Sequence, residues 1–123
     1  ERTLKSAGIE IALYHGAPWD PLGGRVYPDF DNWSRFSDVF GDVILLGHTH
    51  YPLTKVFRNR LIVNPGSVGQ PRDKASQACY AILEVPSRKV EHYRVPFNSQ
   101  PLIEDVQKHD PELPYLVDVL TRG

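Results

Sequence analysis

The chain lacks methionine altogether and holds one cysteine, Cys79, among its 123 residues. One thiol cannot close an internal disulfide, so a disulfide-stapled secreted scaffold is excluded and a reducing, cytoplasmic setting is expected. With no methionine at position 1, where Glu1-Arg2-Thr3 opens the chain, the sequence is expected to be a fragment of a longer gene product. An excess of either charge is also missing, since 14 Lys+Arg against 15 Asp+Glu leave a formal net charge of -1. No basic field steers this surface toward nucleic acid or anionic lipid, so nucleic acid is expected at most as a nucleotide substrate. No apolar run approaches the roughly 18 residues a membrane span needs, and no signal peptide, internal repeat or dividing linker is visible. What remains is 41% hydrophobic and 24% charged, the composition of a single domain over residues 1–123 with a real core.

The coarse organisation follows from periodicity. Ile9-Glu10-Ile11-Ala12-Leu13-Tyr14 reads as a strand that stops at His15-Gly16. The Pro- and Gly-rich stretch from Ala17 to Gly24 is a shaped loop, in which Asp20 caps a turn. After Asp29 or Asp31 as N-cap, Trp33, Phe36, Val39 and Phe40 fall at helical spacing and Gly41 closes the segment, so an amphipathic helix is expected. Asp42-Val43-Ile44-Leu45-Leu46 is a short apolar run of the kind found in buried parallel strands, which makes strand, helix, strand a βαβ unit. Lys55-Val56-Phe57 and Leu61-Ile62-Val63 flank Arg58-Asn59-Arg60, a hairpin in which Asn59 suits positive φ. A second hairpin joins 78–85 to 90–97, so the second half of the sheet is expected to be antiparallel. Leu102, Ile103 and Val106, then Leu116, Val119 and Leu120, suggest two short helices separated by Pro111 and Pro114.

Gly47-His48-Thr49-His50 sits where the buried strand ends. Ligands of open α/β sheets collect at carboxyl ends of strands, and residues two apart in extended chain share a side, so two imidazoles here can serve one metal or two adjacent ones. A solvated surface turn would use the same residues. His15 ends the neighbouring strand of the βαβ unit, and three of five histidines on one sheet edge is the pattern a binuclear metal site requires.

Three segments together resemble the calcineurin-like metallophosphoesterases, in their small prokaryotic phosphodiesterase branch: Tyr14-His15-Gly16-Ala17-Pro18-Trp19-Asp20-Pro21-Leu22, Gly47-His48-Thr49-His50 and Asn64-Pro65-Gly66-Ser67-Val68-Gly69. The resemblance spans roughly residues 9 to 85. It implies an α/β fold, the C-terminal half of a four-layer α/β/β/α sandwich, and two divalent cations, Mn, Fe, Ni or Zn. It also implies hydrolysis of small-molecule phosphate esters by a metal-bridging hydroxide, with His15 and His48 on one cation and His50 on the other. The family's Asp-x-His and Gly-Asn-His motifs, the last with its leaving-group histidine, do not occur in residues 1–123, and the Gly-Asp present, Gly41-Asp42, precedes the buried strand at the wrong end, so the metal-bridging Gly-Asp is expected upstream with them. Ala17 replaces a common serine, and Gly23-Gly24 replaces bulkier residues.

Two dications carry four positive charges and three neutral imidazoles compensate none, so the fragment alone is expected to be inactive. Asp20, Asp42 and Asp73 are expected to be a turn cap, a residue at the wrong strand end and a solvated side chain. Arg72 is a candidate for substrate phosphate as a fork donor, against a solvated loop arginine. Asn64 and Gly66 are candidates to line the substrate site, although a tight turn explains Asn-Pro-Gly equally well. Trp19 and Tyr51 could stack on a base or aryl group or simply pack the loop. Cys79 reads as core, and His92 and His109 as ordinary surface positions. A non-catalytic scaffold or interaction module of the same fold is the alternative function. Half a sandwich exposes an apolar face and open edges, so homo-oligomerisation is a further expectation.

Overall fold

Alternation over Ile9–Leu13 produces strand β2, and before it comes a strand that periodicity did not announce, β1 (Arg2–Ser6). They form an antiparallel hairpin with Ser6 opposite Ile9, turned through Ala7 and Gly8 at φ 47° and 78°. All five residues of β1 are exposed, so it carries no apolar pattern to read. The computed structural model describes residues 1–122.

Strands β3 (Val43–Leu45), β4 (Pro52–Phe57) and β5 (Arg60–Pro65) complete a five-stranded sheet in the order β1-β2-β3-β5-β4. β3 lies parallel to both neighbours, with Ile11 and Leu61 opposite Val43. Both of its faces are covered, which is why its sequence is a continuous apolar run. One face packs Ala12, Ile44, Leu46 and Ile62 against Phe36 and an aromatic group of Trp19, Phe30 and Trp33. The other packs Ile11, Val43, Leu61 and Val63 against Leu83 and Val90 of a separate antiparallel pair, β6 (Gln77–Glu84) and β7 (Lys89–Pro96), and against Val85 in the turn that joins them. Helices α1 (Gln100–His109) and α2 (Pro114–Thr121) each have proline in the first turn, where its missing N–H costs nothing. No helix among the described residues is long and apolar enough to cross a membrane.

Four sequence expectations need correction. The connection from β2 to β3 contains a single 3-10 turn, Trp33–Phe36, instead of an amphipathic α-helix. Its residues satisfy each other locally, as when Ser34 Oγ donates to Asn32 Oδ1 at 2.7 Å, and its aromatics are held by packing, with Trp33 stacked on Phe36 at 5.8 Å between centroids. Gly41 closes no helix; at φ 108° it brings the chain against Ala12, whose Cβ would lie 3.3 Å from any added Cβ. In the β4–β5 turn the left-handed residue is Arg58, at φ 51°, and not Asn59. The second half is antiparallel only in part, because β5 pairs parallel with β3.

Candidate metal centre

The parallel register of β2 and β3 sets Leu13 opposite Leu45, so the residues beyond them leave the sheet side by side. Tyr14 N–H donates to Leu45 O at 2.9 Å, and Gly47 N–H donates to His15 O at 3.0 Å. A Cβ on Gly47 would stand 3.1 Å from His15 O, so this close approach favours glycine. Across that junction His15 Nε2 and His48 Nδ1 lie 2.8 Å apart, with the two rings at 74°. Between neutral imidazoles one nitrogen must donate to the other, whereas both lone pairs can face a cation in the same place.

The histidine turn is strained. His48 and His50 have φ values of 62° and 63°, a left-handed region that costs a non-glycine residue on the order of 1 kcal/mol or more. Asn64 supports the turn from beneath: fully buried, it donates through Nδ2 to Gly47 O at 2.8 Å and to Thr49 Oγ1 at 3.0 Å. Its Oδ1 accepts from Gly66 N–H at 3.0 Å, so both ends of the amide are used to hold the turn. Gly66 has φ 87°, and a Cβ there would meet Cys79 at 2.9 Å, which leaves this position to glycine. His50 is fixed separately, because Nδ1–H donates to Gln70 O at 3.0 Å. That bond leaves Nε2 with its lone pair free, the arrangement by which a backbone carbonyl orients a ligating histidine.

His15 and His48 are therefore brought together, and His50 is held on its own support. Burial, with Arg25 next and then His15, His50 and Arg72, keeps the His48 ring below its ordinary pKa and hence neutral. His48 Nε2 is buried without a hydrogen-bond partner. The converging ring nitrogens of His15 and His48 fit a borderline divalent cation. The carboxylates that would balance its charge are not assembled: among the described residues no group of three or more His, Cys, Asp or Glu side chains converges. Asp20 Oδ1 accepts from Gly23 N–H at 3.0 Å, the turn-capping role expected of it. Asp42 accepts from Glu10 N–H at 3.0 Å at the far end of β3. Asp73, expected to be solvated, is paired with Arg94.

Arg72 is no solvated loop arginine. Its Nη2 donates to the Tyr115 hydroxyl of α2 at 2.7 Å, its Nε is buried without a partner, and its charge is felt at His48. Trp19 packs inside, stacked on Phe30 at 5.8 Å, with Arg35 at 3.9 Å over its ring. Tyr51 stands apart from it, edge-on to Tyr27. Arg25, Tyr27 and Tyr115 were missed by sequence reasoning. Arg25 is carried there by loop closure, which no local sequence pattern encodes: Gly16 N–H donates to Pro21 O and Gly24 N–H to Asp20 O, so the loop after His15 folds back on itself. That closure presses Gly24 against Gly16, so the next residue re-enters beside His15. A cavity of about 400 Å³ runs under His15 and Gly47 between the sheets, walled by Leu13, Leu45, Val63, Leu83 and Val90.

Residues 1–88 match the family model for the calcineurin-like phosphoesterase superfamily domain. The chain belongs to that superfamily. Among relatives of this family, a probable metallophosphoesterase of Bacillus subtilis is 37% identical over 109 residues, covering 87% of this chain and 60% of its own length. An uncharacterized protein of Methanocaldococcus jannaschii is 30% identical over 120 residues, covering 83% of this chain and 47% of its own. The chain thus spans about half the length of the curated relatives it matches. The fold is that of a hypothetical protein from Pyrococcus horikoshii, at a TM-score of 0.83 with 20% identity over 99% of this chain and 50% of the other. It is shared with a metallophosphoesterase from Sphaerobacter thermophilus, at a TM-score of 0.71 with 23% identity over 95% and 57% of the two chains.

Proposed function

We propose that this chain is the C-terminal portion of a calcineurin-like phosphoesterase domain and contributes three ligands, His15, His48 and His50, to a centre of two divalent cations that hydrolyses phosphate esters of small molecules. The observation that carries this reading is the convergence of His15 Nε2 and His48 Nδ1 at 2.8 Å, where two ring nitrogens can serve one cation. His50, freed at Nε2 by its bond to Gln70 O, serves the second.

When bound, Mn, Fe, Ni or Zn would supply an activated water and neutralise phosphoryl charge. The chain's own groups do the rest. Asn64 holds the two histidines in their strained backbone, so the nitrogens need no rearrangement when loaded. Arg25 and Arg72 set positive charge beside His48. Guanidinium groups beside the site would pair with the anionic phosphoryl group of a substrate. The balancing carboxylates and the leaving-group histidine belong to the other half of the domain. That half would also fill the apolar cavity beneath His15, whose walls suit protein and not phosphate. The buried free thiol of Cys79 suits a reducing compartment, the cytoplasm.

The test compares residues 1–123 with the longer gene product for bound metal and for hydrolysis of an aryl phosphodiester with added manganese. Metal-dependent turnover by the longer protein alone is expected. Equal turnover by both would overturn the half-site reading. Metal binding without turnover in the longer protein would favour the non-catalytic interaction module. Sedimentation of the short chain gives a further check, since the exposed Tyr80, Ile82 and Val95 of the second sheet favour self-association. A clean monomer with a cooperative melt would remove homo-oligomerisation from the account.

A further inference from the structure

We infer that the corner formed by Tyr27 and Tyr51 is a subsite for a planar aromatic ring carried by the substrate, a ring joined to the phosphoryl group held at the histidines; this rests on the phosphoesterase reading above. The two rings meet edge-on, with centroids 5.9 Å apart and planes at 67°. They wall a cleft of about 310 Å³ together with Pro28 and Asp29, large enough for a phenyl ring or a nucleobase. Other aromatics of the region are spent on packing: Trp19, Phe30, Trp33 and Phe36 contact one another around the core. Tyr27 and Tyr51 make one ring contact, with each other, and both rings line the open cleft.

One segment of the corner adjoins the histidine turn, and the other continues from the loop that closes against Gly16. Tyr51 follows His50, and Tyr27 lies two residues after Arg25, whose backbone neighbour Gly24 is pressed against Gly16 beside His15. Along 25–29 the order is Arg25, Tyr27, Pro28, Asp29, a cation at the histidine end and a carboxylate at the other. An aryl or nucleoside phosphate has the matching order of an anionic phosphoryl end followed by an aromatic face, and a nucleobase adds edge N–H donors that a carboxylate can accept. A ring stacking on the face of either tyrosine gains from contact that needs no particular base edge, so the corner selects for aromaticity and not for one base.

The experiment uses residues 1–123 loaded with Zn²⁺ and two non-hydrolysable probes that differ only in the ring, phenylphosphonate and methylphosphonate, with affinity read by ³¹P NMR of the probes and ring contact read at the tyrosine resonances of the parent chain. Phenylphosphonate is expected to bind roughly tenfold tighter. That preference should disappear in the Tyr27→Leu/Tyr51→Leu double variant, while methylphosphonate binding stays as it was. Equal affinities in the parent chain, or a preference that survives the double variant, overturn the proposal. Adenosine, which carries no phosphate, separates this inference from the reading it rests on. Ring-current shifts at Tyr27 and Tyr51 with adenosine support the subsite even where no phosphonate binds. Unmoved tyrosine signals at saturating phenylphosphonate and adenosine sink the subsite while leaving metal binding intact.

Discussion

The two sheets of this chain are built from similar residues and behave oppositely. In the five-stranded sheet, β5 buries Leu61, Ile62, Val63 and Asn64 in succession, because β3 and β4 flank it and side chains cover both faces. In the two-stranded sheet, one face meets the first sheet through Leu83 and Val90, while the other leaves Tyr80, Ile82, Tyr93 and Val95 exposed. A two-stranded ribbon is marginal by itself, so this half depends on its docking. The histidines sit on the first sheet, where parallel register is fixed by a two-sided core. The second sheet supplies a cover and cross-ties, such as Thr54 Oγ1 to His92 Nε2 at 2.8 Å. Precision for the site comes from the region whose packing is complete.

The sharpest break of that contrast comes from matched truncations. Ile62→Ala, at a fully buried position, should cost about 2–5 kcal/mol by denaturant unfolding, whereas Ile82→Ala, at 56% exposure, should stay within about 0.5 kcal/mol. Equal losses would mean that the second sheet is as well packed as the first. Next, Asn64→Ala strips partners from Gly47 O, Thr49 Oγ1 and Gly66 N–H and should cost about 2–3 kcal/mol. It should also weaken Zn²⁺ binding by about 10–100-fold, since it disorders the turn without removing a ligand. His48→Gly should act in the opposite sense on stability, raising it by up to about 1 kcal/mol through relief of left-handed strain while metal affinity falls. A loss of stability there would mean that contacts of the His48 ring outweigh the strain of its backbone.

The smallest effect expected is a pH slope from His92. Partial burial, and Arg94 after it, lower its folded pKa from the ordinary 6.5. The unfolded chain then binds the proton more readily, so this contribution is fully present above pH 6.5 and is lost as the pH falls below it. His92→Gln should flatten the pH dependence of unfolding stability below about pH 6.5; an unchanged slope would show that His92 does not carry it.

Much of this was legible in the sequence, for reasons that particular residues explain. The run Val43–Leu46 is apolar because both faces of its sheet are covered, and that signature survives without knowledge of neighbours. The hairpin at 78–97 and both C-terminal helices follow from local turn and proline chemistry. The absent helix before Gly41 shows where periodicity misleads, since spacing cannot distinguish a helical stripe from aromatics gathered by a loop. The strand at Arg2–Ser6 was invisible because nothing covers it. At the site, the three histidines could be read from strand ends, but Arg25, Tyr27 and Tyr115 reach it through loop closure and a helix far along the chain, which no local pattern encodes.

The most direct test of the central claim is a Zn²⁺ titration of the chain followed at the ring nitrogens of its five histidines by ¹⁵N NMR. Before metal, His50 should be the Nδ1–H tautomer, as its bond to Gln70 O requires. On loading, the nitrogens of His15, His48 and His50 should respond together while those of His92 and His109 stay in place. Uniform weak responses from all five, or no response at saturating metal, would contradict the assignment of this strand-end turn as half of a metal centre.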